Sequence, residues 1–277
     1  MTRYLRKLIA IATRGSGLIF SLALAVRLIY LFTYQGSPQF ALPMVDAEEY
    51  HNMATELSHG ALPAQIAFRP PIYPLVLGFI YMIFGSGVLM PRIIQIIIGA
   101  LSCVLVQKIG TIIFGKTLGF WAGIIASLCG LMIYYDLELL PTSLTVLLNL
   151  VFLHALLRIP KKSSSPIWAG LWLAASALTR PTTLTFYPFA IFWLWKYTKD
   201  YRNILKFLAS GILPLVFSLL LHISIGAGPV LISAQGGINF FIGNHVESDG
   251  MTARFPVLGP GWGWDQVRAA AENTAQT

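Results

Sequence analysis

Apolar runs alternate along this chain with short polar or proline-rich breaks. Runs near 15–34, 72–84, 88–107, 117–135, 139–157, 166–179, 182–195 and 204–225 carry almost no charge. A spanning helix needs about 20 mostly apolar residues. The pattern therefore predicts an all-α polytopic membrane protein, a bundle of about 7–8 transmembrane or re-entrant helices. No internal repeat is visible, and the short hydrophilic "RIPKKSSSP" reads as a tight loop between spans.

One stretch breaks the pattern. "MVDAEEYHNMATELSHGALPAQIAFRPPIYP" holds Asp46, Glu48, Glu49 and Glu56, four of the eleven acids in the chain. Within it Tyr50, Met53, Ala54 and Leu57 recur at helical spacing and leave the acids on other faces, which predicts an amphipathic helix in an outer loop spanning 35–71. Asp46 stands where an N-cap is favoured, with Glu49 three residues on as in a capping box. Capping and catalysis compete for this residue.

Composition sharpens the class. Of 277 residues, 56% are hydrophobic and 11% charged, against about 25% charged in an average soluble domain, which excludes a soluble enzyme built on one core. The net charge of +8 does not point to nucleic acid, because the basic residues gather at the ends of apolar runs, where they set orientation. Cys103 and Cys129 lie in separate runs and suggest neither a disulfide nor a metal pair.

The positive-inside rule assigns sides. Arg3, Arg6, Lys7 and Arg14 precede an uncleaved first span, so the N-terminus is cytoplasmic and the acidic stretch emerges outside. Lys108 and Lys116, then Arg158, Lys161 and Lys162, then Lys196, Lys199, Arg202 and Lys206 mark inner turns. "YYDLELLP" and Arg180 fall on the outer face, and residues 226–277 continue outside. Between Arg69 and Lys108 two apolar segments lie where an odd number of crossings is required. Either 72–84, short and opened by "RPPIYP", does not span, or the two lysines break the rule; the first is preferred. Pro181 disfavours a helical Arg180 and breaks the helix at "LTRPTT".

Between Leu57 and Lys199 the only carboxylates are Asp136 and Glu138. An acid at the hydrocarbon edge is costly and usually functional or ion-paired, although both could merely mark the end of a span. Asp46, Glu48, Glu49, Asp136 and Glu138 are thus candidate catalytic acids. Asp46, Asp136 and Glu138 are also candidate ligands for a divalent cation such as Mg or Mn. Arg69, Arg92 and Arg180, each beside a proline, are candidate phosphate contacts; snorkelling is the plain alternative for each. His51, His59, His154, His222 and His245 show no metal spacing. The glycine-rich "SAQGGINFFIGN" suits a loop over the outer face.

Taken in order, "DAEEYHNMA…G…FRPPIYPLVLGFIYMIFG", "YYDLELLPTSLTVLLNL", "ALTRPTTLTFYP" and "GGINFFIGNHVESDG" resemble the GT-C membrane glycosyltransferases, in the branch of protein O-mannosyltransferases and lipid A aminoarabinose transferases. The resemblance implies transfer of a sugar from a polyprenyl-phosphate carrier to an acceptor glycan, lipid or protein on the extracytoplasmic side of a membrane, here a bacterial inner membrane. It implies Asp46 as the first-loop acid, Asp136 or Glu138 as the second, and basic residues at the carrier phosphate. Such proteins are commonly longer, so residues 226–277 are expected to be an outer loop or the start of a further C-terminal part after the 1–225 membrane module, with a partner chain as one consequence. The rival readings are a transporter or flippase of a lipid-linked or polar solute, which should show polar through-paths or pseudo-symmetry, and a non-catalytic subunit that binds the carrier lipid.

Overall fold

The computed structural model describes residues 3–63, 66–161 and 164–244, and among these there is no strand. Among the described residues three helices are each long and apolar enough to cross a membrane: Gly15–Tyr34, which is the apolar part of α1 (Arg3–Tyr34), then α5 (Leu89–Phe114) and α11 (Tyr201–Ser224). The run 117–135, read as one span, is a bent pair, a fourth crossing if its two helices form one broken span. Helix α6 (Lys116–Ser127) and α7 (Gly130–Leu137) meet at 52°. The run at 72–84 forms α4 (Ile72–Phe84), whose 13 residues reach only about 20 Å against a hydrocarbon core of about 30 Å. Helices α8 (Thr142–Arg158) and α9 (Pro166–Ala177) are also short and apolar.

Packing around α5 organises the first half. It contacts α1, α6, α7 and α8, with Ile19, Ala23, Ala100, Cys103 and Ala126 forming one buried cluster. Close approach depends on small residues, as is usual where lipid removes the hydrophobic drive between helices. A Cβ added to Gly119 of α6 would lie 2.3 Å from Thr111 Oγ1 and 2.7 Å from Gln107 O of α5. The second half closes around Phe152, Leu156, Leu173, Leu194 and Phe207, contributed by α8, α9, α11 and α10 (Phe186–Thr198). Phe189, Trp195, Leu213 and Phe217 remain largely exposed, an apolar surface suited to lipid.

The polar stretch folds as α3 (Asp46–Ser58), following a single turn α2 (Pro38–Ala41). Ala47, Tyr50, Met53 and Ala54 are its buried face, and Tyr50 and Ala54 pack on Tyr73, Leu77 and Tyr81 of α4. The capping expectation for Asp46 is corrected. Val45 is the N-cap residue and no side chain caps the helix; Asp46 is the first helical residue and its carboxylate bonds elsewhere. Val45 holds φ 56° and ψ −122°, a conformation that a β-branched residue adopts only at a cost of about 1–3 kcal/mol.

A second correction concerns "QGGINFFIGN", expected as loop. It forms α12 (Gln235–Asn244). Glycine weakens a helix by about 1 kcal/mol per residue, a preference that tertiary contacts override here: Ala234 N donates to Ala67 O at 2.9 Å just before the first turn. His245 and the remainder of the tail to Thr277 lie outside the described residues, as does Lys162 of the inner turn.

A cavity walled by acids and arginines

Three chain segments converge on one end of the bundle. Ile72 N donates to Leu178 O at 3.2 Å, which ties the start of α4 to the end of α9. His222 of α11, buried, pairs through Nδ1 with Val230 O at 2.7 Å and holds the 229–232 segment. Between these ties and α3 lies a cavity of about 1100 Å³, lined among others by Asp46, Tyr50, Arg69, Tyr135, Arg180 and Gln235.

Arg69 organises one wall. Its side chain is 6% exposed and reaches two of the three acids on the first turn of α3. Nη2 donates to Asp46 Oδ1 at 2.7 Å and also to Glu49 Oε2, while Nε donates to Glu49 Oε2 at 3.0 Å. Gln235, with its amide oriented by this network, accepts from Nε at 3.2 Å and from Nη1 at 2.9 Å. The guanidinium also stacks near Tyr50, 5.3 Å from the ring centre. Burial works against the Arg69 charge, but the Glu49 and Asp46 carboxylates outweigh it and raise its pKa. Burial pushes the Tyr50 hydroxyl up to about 12, so it stays a neutral phenol in this wall.

Arg180 stands on another wall. It is exposed and extended (φ −150°, ψ 107°) between α9 and the 3-10 turn Pro181–Thr185, because the following proline excludes helix there. Its guanidinium makes no hydrogen bond or ion pair among the described residues. Glu48 is exposed on α3 and does not line the cavity.

The other three candidates are not in the wall of this cavity. Asp136 is buried against Arg27 of α1, with Arg27 Nε donating to Oδ2 at 2.6 Å and side-chain exposures of 0% and 5%. Arg27 Nη1 also donates to Ala23 O (3.2 Å) and Ser127 O (3.4 Å), the latter at the end of α6. Gly99 makes the room: a Cβ there would lie 1.9 Å from Asp136 Oδ2. Arg92, 1% exposed, does not reach the cavity. Its Nε donates to Leu137 O and its Nη1 to Phe40 O, both at 2.7 Å. Gln95 Nε2 donates to Asp136 O (3.2 Å) and Glu138 O (2.6 Å) while accepting from Tyr73. Arg92 and Gln95 thus satisfy the carbonyls left open where α7 ends. Glu138 is half-buried, accepts from Tyr34 at 2.8 Å, and is not in the cavity wall.

The sequence missed Arg27 and Gln95. Their signal was a charge and an amide inside apolar runs; their partners, 109 and about 40 residues away, were not legible. The expected cation set is not assembled either. Among the described residues no three His, Cys, Asp or Glu side chains gather as a metal site, and Asp46 Oδ1 and Glu49 Oε2 are committed to Arg69. These donors do not fit a divalent cation.

Architecture and cavity together define an all-α polytopic membrane protein whose polar chamber sits at one end of its helices. Residues 68–222 match the family model described as Dolichyl-phosphate-mannose-protein mannosyltransferase, more than half of the chain, and the chain belongs to that family. It is a membrane glycosyltransferase of the GT-C superfamily. Neither the curated proteins nor the solved structures gave a match.

Proposed function

We propose that this glycosyltransferase takes a sugar from a polyprenyl-phosphate carrier and passes it to an acceptor hydroxyl at the extracytoplasmic face of a bacterial inner membrane, with its N-terminus cytoplasmic. The observation that carries the reading is a single cavity where a carboxylate fixed by Arg69 faces the same space as the unpaired guanidinium of Arg180. The face is supported by charge. Thr142 at one end of α8 lines the cavity, whereas Arg158 closes the other end, the side where basic residues collect.

Each step falls to a side chain of this chain. The acceptor oxygen attacks the anomeric carbon, and its proton passes to Asp46, whose Oδ2 makes no bond among the described residues. The carbon–oxygen bond to phosphate breaks and its electron pair leaves with the phosphate. Arg180 stabilises that growing negative charge, a role suited to a planar, always-charged donor. Arg69, Glu49 and Gln235 position Asp46 without touching the reacting atoms. Asp136 and Arg92 hold the broken α6–α7 segment beside the chamber.

The test is transfer from a labelled polyprenyl-phosphate sugar by the reconstituted protein, together with mass spectrometry of co-purified lipid. Asp46→Asn should lower turnover by about 10²–10⁴, the usual worth of a general base, and still co-purify the carrier. Arg180→Ala should lose the carrier. Wild-type turnover in Asp46→Asn would overturn the mechanism, and equal lipid content in Arg180→Ala would remove Arg180 from the phosphate.

A further inference from the structure

Past Arg180, which lines both spaces, the main cavity adjoins a second groove of about 440 Å³. One face of α8 forms its wall: Thr142, Thr145 and Asn149 recur at three- and four-residue spacing. Thr182 and Thr183 of the 3-10 turn stand in the opposite wall. Asn149 lies two turns below Thr142, about 10 Å further along the helix. The rest of α8, "TSLTVLLNLVFLHALLR", is mainly apolar. Polar side chains at such depth face protein or a polar cavity rather than lipid. Below the groove Phe152 and Leu156 of α8 join Ala190 and Leu194 of α10 in one buried cluster, which closes the floor.

The hydrogen-bonding inventory of this lining is specific. Asn149 Oδ1 accepts from Ser176 Oγ at 2.8 Å, so its amide N–H groups remain as donors without a partner among the described residues. Thr145 Oγ1 donates to Pro141 O at 2.8 Å and Thr183 Oγ1 to Arg180 O at 3.0 Å, which leaves only their lone pairs for a guest. The Thr142 and Thr182 hydroxyls at the mouth make no bond among the described residues and can do either. A phosphate accepts only, and would waste Thr145 and Thr183. An isoprenoid chain does neither, and would leave the whole stripe desolvated at a cost. Among the described residues Arg180 is the one charged side chain in the lining, and Val146 and Phe186 complete it with apolar surface. A neutral guest whose hydroxyls both donate and accept matches every polar position.

We infer that this groove is the subsite for the sugar of the carrier-linked donor, with Asn149 as its specificity-determining residue and the anomeric carbon turned toward Arg180 and the main cavity. The inference rests on the transferase reading above and deepens it.

The test measures binding of three lipids to the full chain in nanodiscs: bare polyprenyl phosphate and its mannosyl and glucosyl esters. Wild type should bind one glycosylated carrier more tightly than the bare one. Asn149→Leu should shrink that preference by roughly 3- to 10-fold, the worth of one or two neutral hydrogen bonds, and leave bare-carrier affinity unchanged. Thr145→Val should act in the same direction. Ser176→Ala removes the α8–α9 bond but keeps the amide in the groove, and should retain the preference. A preference that survives in Asn149→Leu, or is lost equally in Ser176→Ala, overturns the subsite and leaves the transferase reading standing. Equal binding of all three lipids by wild type also overturns the subsite. Failure of wild type to bind any of them overturns the carrier-dependent reading itself, and the subsite with it.

Discussion

Removing one partner of the Arg27–Asp136 pair separates a structural role from a catalytic one. In Asp136→Ala the Arg27 guanidinium, fully buried at 0% exposure, loses its counter-charge and cannot discharge itself. Breaking a buried pair from one side costs about 3–5 kcal/mol, a shift of roughly 10²–10³ or more in the unfolding equilibrium. Arg27→Met should cost less, because a stranded carboxyl can take up a proton. The double variant Arg27→Met/Asp136→Ala should be more stable than Asp136→Ala alone, since neither charge is then buried. Gly99→Ala attacks the same pair by another route. Its new Cβ would fall 1.9 Å from Asp136 Oδ2 and 2.8 Å from Arg27 Nε, so it should destabilise by about 1–3 kcal/mol. The assay is reversible unfolding of the four variants in mixed micelles by detergent titration, with sugar transfer measured at a temperature where each remains folded. Transfer by folded Asp136→Ala should stay within a few-fold of wild type. An Asp136→Ala protein of wild-type stability that fails to transfer would refute the reasoning, as would strictly additive losses in the double variant.

Two further outcomes concern Arg69 and His51. Arg69→Lys keeps the charge but cannot serve Asp46, Glu49 and Gln235 together; turnover should drop by about 10–10² through misplacement of Asp46 while carrier affinity changes little, and an unchanged turnover would contradict the positioning role. His51 pairs with Tyr81 at 2.7 Å, and burial, aided by the nearby Arg92 charge, lowers its pKa below the usual histidine value. The unfolded chain then binds more protons, so this contribution is fully present above about pH 6.5 and is lost as pH falls through the folded value. Unfolding midpoints from pH 8 to pH 5 should fall more for wild type than for His51→Gln; parallel slopes would exclude His51.

Hydropathy alone settled the class, because burying apolar side chains in lipid is a property of each run by itself. The break at Arg180 was equally local, since a proline acts on its immediate neighbour. The buried face of α3 could also be read from spacing, and Asp46 and Glu49 were candidates as acids crowded into one polar stretch, Arg69 as a lone arginine beside a proline. Pairing was beyond that reach. Whether an acid serves a chamber or neutralises a cation depends on what the fold brings beside it. Asp136 answers to Arg27 across 109 positions, and Arg92 answers to carbonyls exposed only because α7 ends where it does. The helix at Gln235–Asn244 likewise needs contacts with Ala67 and Arg69 that glycine content argues against. Periodicity and composition, set by neighbours in the chain, determined that this protein lies in a membrane and which polar residues were available. Only the tertiary structure decided which of them share a cavity, because ion pairs and hydrogen bonds act over a few ångströms of space and not along the chain.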